Sequence, residues 1–492
     1  MTDSDRFVAP ALYHAKESDP PRANVQSGAR DGVLKLLPAD SVTEHALTIG
    51  DRKIAYTATA GTLDLFGQDG AQTGAIFYTA YVARDGGPNR PLTFAFNGGP
   101  GAASAYLHLG LVGPKVLDFG QDGRDGANAK LVDNPQSWLD FTDLVLIDPI
   151  GTGWSRTAKA DDANYYNVDA DAQSIAKAIA LYVAHNNRST SPKYLLGESY
   201  GGFRAAKVAS VLQQSQGIIV AGAVMLSPLI EGQLMFNADQ FALGAALELP
   251  SLAAAELDRH KAFDEEKQKE AETFALGDYL TTLAGPPPTG AEAAAFYGRI
   301  ARLTGIPEDI VTRNRGFLGS SFVKHSDGGS GEVMSSYDAS FAAPDPYPES
   351  DRPGDDPWNG FTCAYGGAFT DYARNELGFK TEMTYSMLAT DINWRWEWGG
   401  GSPFQASATD DVRQLLAANP AFRLLIAHGY SDLVTPYSVS RYVVDHLPPS
   451  LAGGRVGLKL YRGGHMFYTK ADQRAAFTAD AKAFYATRPA AS

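Results

Sequence analysis

The sequence predicts a protein of the α/β class, built on a largely parallel sheet that carries an inserted helical segment. Short apolar runs that are typical of strands alternate with helical stretches between residues 91 and 226. A Gly-x-Ser-x-Gly turn joins one of these strands to the next helix, and strand patterns return after residue 420. Alternation of this kind favours a sheet with helices packed on its faces.

Length, composition and charge limit the classes of function. The chain has 492 residues, of which 44% are hydrophobic and 20% charged, as in ordinary globular proteins. A net charge of −14 argues against nucleic acid as a partner, because phosphate binding needs a basic face. No apolar run reaches the roughly 18 residues of a membrane span, and residues 1–6 lack the start of a signal peptide. We therefore expect a cytoplasmic protein, or a periplasmic or secreted one if a leader was removed.

The N-terminal part predicts an arm followed by antiparallel strands. Residues 1–40 are polar and contain several prolines, which favours an extended arm. Alternating patterns separated by glycine-containing turns then predict strands at one edge of the sheet. These strands cover residues 45–49, 53–59 and 75–82.

Continuous apolar runs predict the central strands, because strands buried on both faces do not alternate. These runs cover residues 91–96, 143–148, 194–196 and 217–226. A stripe formed by Ile175, Ile179 and Val183 predicts a helix over 170–186. Residues 41–230 are therefore expected to form the first part of the core.

A helical insertion is predicted to interrupt the sheet at residues 231–385 and to cap it. The helical and loop-like patterns within it cover residues 251–283, 291–303, 307–315 and, as loop, 326–358. The second part of the core is expected at residues 386–492. Its predicted elements are strands at 423–427 and 456–461 and a closing helix at 470–486.

The turn Gly197-Glu198-Ser199-Tyr200-Gly201 has the pattern of a nucleophile elbow. Small residues allow a sharp turn between a strand and a helix, which exposes the Ser199 hydroxyl at the end of the strand. Glycine makes up 50 of the 492 residues, so this motif alone does not decide the function.

Candidates for a base and for its orienting acid follow the last two predicted strands. A serine hydroxyl needs a base that removes its proton, and the base needs a third group that orients it. Asp432 follows one strand and His465 lies in a glycine loop after the next, whereas His446 falls at a predicted helix end. The order Ser199, Asp432, His465 is that of the α/β-hydrolases. We therefore predict an α/β-hydrolase sheet with a helical cap insertion.

A glycine loop, Phe96-Asn97-Gly98-Gly99-Pro100-Gly101, follows the first central strand. At this position an α/β-hydrolase builds half of its oxyanion hole, because glycine lets backbone N–H groups approach the substrate oxygen. A phosphate-binding loop is the alternative, but no Gly-Lys-Ser or Gly-Lys-Thr follows.

Five motifs in this order resemble those of the serine carboxypeptidase family. They are Asn97-Gly98-Gly99-Pro100-Gly101, Asn134-Pro135 with Trp138, Asp148-Pro149-x-Gly151-Thr152-Gly153-x-Ser155, Gly197-Glu198-Ser199-Tyr200-Gly201-Gly202 and Gly464-His465-Met466. The resemblance covers about residues 90–230 and 420–470 and leaves the cap unmatched. The single cysteine, Cys363, cannot provide the disulfides of the family's eukaryotic members, which indicates a bacterial-type branch.

The resemblance implies a serine-type carboxypeptidase that acts on peptides without a metal or other cofactor. It implies that Ser199 is the nucleophile, that Asp432 is the orienting carboxylate and that His465 is the general base and acid.

The same resemblance implies two groups beside the nucleophile. It assigns the oxyanion hole to the backbone N–H groups of Gly99 and Tyr200, and contacts with the substrate's terminal carboxylate to Asn97 and Glu198. A carboxyl group beside a substrate carboxylate is costly to ionise, so we expect the pKa of Glu198 to rise. Free-carboxylate substrates should then be cleaved best at mildly acidic pH. The alternative is that Glu198 is a buried structural acid.

One departure from the family leaves other functions open. The family usually has a second carboxylate-binding glutamate before a Gly-Pro pair, whereas this chain reads Leu109-Gly110-Leu111-Val112-Gly113-Pro114. An esterase or acyltransferase that uses the same three residues is therefore the alternative, and a binding protein without activity is a further one. The cluster Asn393-Trp394-Arg395-Trp396-Glu397-Trp398 predicts either an apolar substrate pocket or aromatic core.

Overall fold

The computed structural model describes residues 30–120, 123–159, 163–319, 321–326 and 331–487. Residues 1–29 of the arm predicted at residues 1–40 lie outside these ranges. The part of it that is described contains a short 3-10 helix, Gly32–Leu36.

The strands of the described chain form one large sheet and two small hairpins. They are β1 (Ser41–Ile49), β2 (Arg52–Phe66), β3 (Gln72–Ala83), β4 (Leu92–Phe96), β5 (Lys115–Asp118), β6 (Lys130–Asp133), β7 (Asp143–Ile147), β8 (Arg156–Thr157), β9 (Lys193–Glu198), β10 (Val220–Leu226), β11 (Glu332–Met334), β12 (Ala342–Pro344), β13 (Arg423–Gly429) and β14 (Val456–Tyr461). The large sheet has the order β1-β2-β3-β7-β4-β9-β10-β13-β14, with β8 paired to β3. The hairpins are β5–β6 and β11–β12.

The strand directions divide the large sheet into an antiparallel edge and a parallel part. Strands β1, β2 and β3 pair antiparallel, and β3 pairs antiparallel with β7. From β7 through β4, β9, β10, β13 and β14, every pairing is parallel. The predicted edge and central strands are confirmed. Because parallel strands end at the same edge of a sheet, the loops after β4, β9, β13 and β14 open on one side.

The α-helices of the described chain lie between and after these strands. They are α1 (Ala105–Leu107), α2 (Val168–His185), α3 (Tyr200–Ser215), α4 (Gly232–Met235), α5 (Ala242–Arg259), α6 (Glu265–Phe274), α7 (Leu280–Ala284), α8 (Gly290–Thr304), α9 (Glu308–Arg313), α10 (Ser321–His325), α11 (Asn359–Thr362), α12 (Ala364–Asn375), α13 (Thr390–Arg395), α14 (Thr409–Ala418), α15 (Tyr437–Asp445), α16 (Pro449–Ala452) and α17 (Ala471–Ala486). None of these described helices combines the length and the apolar character needed to cross a membrane.

Two apolar layers cover the two faces of the sheet. On β10, Ala223 and Met225 belong to one layer, whereas Val224 and Leu226 belong to the other, as expected when successive side chains point to opposite faces. The first layer includes the predicted stripe of α2. That helix begins where the side chain of Asn167 caps it by accepting from the Ala170 amide.

The segment predicted as a cap contains two packing environments. Helices α5 to α10 enclose an apolar cluster of their own, with side chains such as Leu249, Phe274 and Ile300 at its centre. Helix α12 packs in the second layer of the sheet through Phe369 and Tyr372. The boundaries at 231 and 385 stay a prediction. The hairpin β11–β12 and helix α12 were missed, since β11–β12 falls in the segment predicted as loop and α12 begins with Ala-Tyr-Gly-Gly.

Candidate active site

Ser199 stands in a strained turn between β9 and α3. Its φ and ψ are 61° and −127°. A residue other than glycine adopts such backbone angles only when the surrounding structure enforces them. The Ser199 amide donates to the Leu226 carbonyl at 2.9 Å, and its own carbonyl accepts from the Gly202 and Leu229 amides at 2.9 and 3.1 Å. These bonds tie the turn to the end of β10 and to the first turn of α3.

The two glycines of the motif are required because backbone segments approach them closely. A Cβ atom on Gly197 would lie 1.8 Å from the Gly201 carbonyl oxygen. A Cβ atom on Gly201 would lie 2.6 Å from the Phe96 carbonyl oxygen. The Gly-x-Ser-x-Gly spacing is therefore a packing requirement of this turn.

His465 and Asp432 are hydrogen-bonded to each other in the loops after β14 and β13. The distance from His465 Nδ1 to Asp432 Oδ2 is 2.8 Å. The other oxygen of Asp432, Oδ1, accepts from the amides of Val434 and Thr435 at 2.9 Å each. A carboxylate held in this way accepts the Nδ1–H of the imidazole, which leaves Nε2 free to take a proton.

Thr435 is a partner of the carboxylate that sequence reasoning missed. Its hydroxyl lies 2.7 Å from Asp432 Oδ2 and 3.0 Å from the Ser227 carbonyl. Ser227 follows β10 directly, and its own hydroxyl donates to the His465 carbonyl at 2.9 Å. The end of β10 thus connects the Ser199 turn with the loops of Asp432 and His465. The spacing Asp-x-x-Thr, typical of a turn closed by side chains, is the signal that could have indicated Thr435.

The charges around His465 determine the direction of its pKa. Burial lowers the pKa of His465, but the charge and hydrogen bond of Asp432 and the charge of Glu198 raise it above its usual value overall. His465 is only 2% exposed, so these charges act on its imidazole with little screening.

The Asn97 loop lies directly against the Ser199 turn. A Cβ atom on Gly98 would come within 2.6 Å of the Tyr200 amide nitrogen, and Gly99 has a φ of +98° that favours glycine. The backbones of Gly98 and Tyr200 therefore adjoin at the N-terminus of α3, where the helix dipole favours negative charge. This arrangement suits the binding of an oxyanion by N–H groups.

A buried ion pair that the sequence analysis missed supports this loop. The Arg204 guanidinium donates from Nε to Asp171 Oδ2 at 2.6 Å and from Nη1 to the Asn97 carbonyl. Arg204 is 1% exposed and lies 4.9 Å from the centre of the Tyr200 ring. An arginine on the otherwise apolar inner face of α3 is the only sequence signal for this role.

Asn97 and Glu198 are in direct contact. Asn97 Nδ2 donates to Glu198 Oε2 at 3.0 Å, and both side chains are 3% exposed. The Tyr468 hydroxyl, which the sequence analysis did not single out, donates to the same oxygen at 2.7 Å. Burial raises the pKa of Glu198 to about 7, against the lowering effects of the His465 charge and these two hydrogen bonds. The pKa of Glu198 is therefore raised, as expected, and the main cause in this structure is burial.

A strap formed by residues 335–341, between β11 and β12, covers the His465 loop. The Tyr337 carbonyl accepts from the His465 amide, and the Ala339 amide donates to the Ser431 carbonyl at 2.9 Å. The Ser431 hydroxyl donates to Asp338 Oδ1 at 2.7 Å. The strap therefore holds the Asp432 and His465 loops together.

The aromatic cluster after α13 is divided between core and surface. Trp396 is 8% exposed and packs edge-on against Tyr200 at 5.3 Å between ring centres. Trp394 is 88% exposed. For Trp396 the aromatic-core interpretation is therefore correct. Within the described residues, no group of three His, Cys, Asp or Glu side chains is arranged to hold a metal ion.

The strand order and the turn that carries Ser199 define the fold as that of an α/β-hydrolase. The structure of Kex1(delta)p, a prohormone-processing carboxypeptidase from Saccharomyces cerevisiae, matches 91% of both chains with a TM-score of 0.54. At 15% identity this likeness shows the shared fold. The predicted fold class is confirmed.

Residues 56–240 match the sequence model of the serine carboxypeptidase family. The pheromone-processing carboxypeptidase KEX1 of Cryptococcus gattii is 33% identical over 190 residues, which are 37% of this chain and 27% of that protein. Serine carboxypeptidase-like 41 of Arabidopsis thaliana is 26% identical over 164 residues, 33% of each chain. The matches thus span about a third or less of these relatives' own length. The predicted resemblance is confirmed over a segment that contains the Asn97 loop and the Ser199 turn.

Proposed function

We propose that the protein is a serine-type carboxypeptidase, which releases C-terminal amino acids from peptides. One observation carries the proposal: the buried pair of Asn97 and Glu198 adjoins Ser199, and both side chains can donate a hydrogen bond to a free carboxylate. A carboxyl group with a pKa of about 7 is largely neutral at mildly acidic pH, so it does not repel an anionic substrate. The similarity to serine carboxypeptidases supports the same function.

In the proposed reaction, Ser199 Oγ forms a bond with the last peptide carbonyl carbon as His465 Nε2 takes its proton. The N–H groups of Gly99 and Tyr200 stabilise the oxyanion. The imidazolium then gives its proton to the leaving amino group as the C–N bond breaks, and Asp432 keeps the ring oriented. Water, deprotonated by the same imidazole, then forms a bond with the acyl carbon, and the imidazolium returns this proton to Ser199 Oγ as the ester bond breaks.

An esterase or acyltransferase with the same three residues is the second candidate. One observation favours it: the segment before the Gly113-Pro114 pair carries no acid, and its residues Leu109, Leu111 and Val112 are fully buried. The terminal carboxylate of a substrate would therefore contact one carboxyl group of the protein, that of Glu198, and not two.

A comparison of a blocked dipeptide with its C-terminal amide separates the two candidates. A carboxypeptidase should cleave the free acid roughly 10–100-fold faster, because a hydrogen bond to a charged group contributes about 1.5–3 kcal/mol. Mass spectrometry of a peptide digest should show residues leaving singly from the C-terminus. Equal rates on acid and amide would contradict the exopeptidase proposal and favour the esterase. Ser199→Ala serves as the control, and failure of the native protein to react with an organophosphonate would favour a binding protein without activity.

A further inference from the structure

The Tyr468 hydroxyl is hydrogen-bonded to the carboxyl group of Glu198. Tyr468 lies in a short 3-10 turn, Phe467–Thr469, three residues after His465. Its side chain is fully buried, and its hydroxyl donates to Glu198 Oε2 at 2.7 Å. The two residues are 270 positions apart in the chain.

The ring of Tyr468 occupies space beside the segment that lacks an acid. A Cβ atom on Gly110 would lie 2.7 Å from Tyr468 Cε2 and 3.0 Å from the Tyr365 hydroxyl. Glycine at position 110 therefore allows the two tyrosine rings to pack there. A phenol, and not a second carboxyl group, is the partner of Glu198 on this side.

The two donors to Glu198 determine where its proton resides. Asn97 Nδ2 and the Tyr468 hydroxyl both donate to Oε2, and a carbonyl oxygen has two lone pairs to accept such bonds. In the neutral acid, Oε2 is then the carbonyl oxygen and the proton sits on Oε1. An O–H group at Oε1 is a donor that an anion can use.

We propose that Tyr468 is a positioning residue that places the proton of Glu198 on Oε1, so that Glu198 donates to the terminal carboxylate of a peptide. This inference rests on the proposed carboxypeptidase function. It adds a substrate-selecting role for a residue outside the Ser-Asp-His set and names a phenol hydroxyl as the group that performs it.

The ionisable groups around Glu198 act in opposite directions. Burial and the charge of Asp432 raise the pKa of Glu198, whereas the charge of His465 and the bonds from Tyr468 and Asn97 lower it. The remaining ionisable neighbours are tyrosines with raised pKa values, which remain neutral at working pH: Tyr106, Tyr337 and Tyr365. The pKa of Tyr468 is itself raised well above its usual value, first by burial and then by the charge of Glu198, so its hydroxyl stays a donor.

Removal of the Tyr468 hydroxyl gives the test. Tyr468→Phe deletes a donor that favours the charged form, so the pKa of Glu198 should rise by about one unit. The alkaline limb of kcat/KM for a blocked dipeptide with a free carboxylate should shift upward by the same amount. KM for this substrate at pH 5 should rise several-fold, because Asn97 is then the one remaining donor to Oε2 and the preference of the proton for Oε1 is weaker. At pH 5, where Glu198 is neutral with or without the Tyr468 hydroxyl, the rate on a blocked amino-acid p-nitrophenyl ester, which has no carboxylate, should change much less than the rate on the free acid.

Tyr365→Phe is the matched control, since it deletes a hydroxyl from the same group of rings without removing a hydrogen bond to Glu198. It should leave the alkaline limb in place. The positioning role would be overturned if the alkaline limb of Tyr468→Phe lay at the same pH as that of the native protein. It would also be overturned if Tyr365→Phe shifted the limb by the same amount as Tyr468→Phe. If the native protein shows no preference for the free acid over the amide, the carboxypeptidase function itself fails, and the inference with it.

A measurement without turnover covers the case in which Tyr468→Phe does not fold. Infrared difference spectra of the native protein, with Glu198→Gln to assign the band, report the C=O stretch of the protonated acid. A carbonyl oxygen with two donors should give a low-frequency band. A band typical of a free carbonyl would overturn the inference.

Discussion

The pH profile of a Glu198→Gln variant tests the proposed site most directly. In the native protein, the pKa of Glu198 is about 7, so each pH unit above 7 lowers the neutral fraction about tenfold. Activity on free-carboxylate substrates should fall with it, which gives an alkaline limb. We expect the acid limb to come from His465, which in the proposed reaction must be neutral to accept the proton of Ser199.

The variant should lose the alkaline limb and keep the hydrogen bonds. The amide oxygen of the new side chain can accept from Asn97 and Tyr468, and its NH₂ group then takes the place of Oε1–H as a donor. We compare kcat/KM at pH 9 with the maximal kcat/KM of the same protein. This fraction should be about 100-fold larger in the variant than in the native protein. The acid limb should also move to lower pH, because the charge of Glu198 raises the pKa of His465 and the variant lacks that charge.

The assay measures kcat/KM from pH 4.5 to 9.5 for a blocked dipeptide, with the p-nitrophenyl ester as a substrate that has no carboxylate. Glu248→Gln is the matched control. Burial and then the charge of Asp239 raise the pKa of Glu248 to about 7 as well, but Glu248 lies on α5 at the separate helical cluster. The role of Glu198 would be refuted if Glu198→Gln kept the alkaline limb of the native protein and also kept its preference for the free acid.

Two further changes test the turn and the orienting acid. Gly197→Ala should destabilise the protein by about 3 kcal/mol, because its Cβ would lie 1.8 Å from the Gly201 carbonyl oxygen; Gly367→Ala, in α12 with no atom within 4 Å of its Cβ, should be neutral or slightly stabilising. Urea denaturation measures both, and equal stabilities would contradict the packing argument. Asp432→Asn should lower kcat roughly 10³–10⁴-fold with little change in unfolding, because two backbone amides hold the side-chain oxygen at the Oδ1 position and the NH₂ group would face His465 Nδ1. The rate of organophosphonate labelling measures this loss, and a native rate would exclude Asp432 as the orienting group.

The parts of the fold that follow from local pattern could be predicted. Continuous apolar runs indicated β4, β7, β9 and β10, because a strand buried on both faces needs apolar side chains at every position. The turn around Ser199 was visible for a similar reason, since close backbone contacts at Gly197 and Gly201 leave glycine as the residue that fits. The positions of Asp432 and His465 followed from the rule that such residues come after strands.

The surroundings of these residues depended on contacts between distant parts of the chain. Tyr468 meets Glu198 across 270 positions, and Arg204 meets the Asn97 carbonyl across 107. The strap at residues 335–341 has a loop-like composition, although it is hydrogen-bonded to the loops that carry Asp432 and His465. A local pattern reports the backbone conformation and the burial of a residue. The hydrogen-bond partner of a buried polar group depends on which segments the fold brings together. Only the tertiary structure therefore showed that burial is the main cause of the raised pKa of Glu198 and that a phenol hydroxyl donates to this carboxyl group.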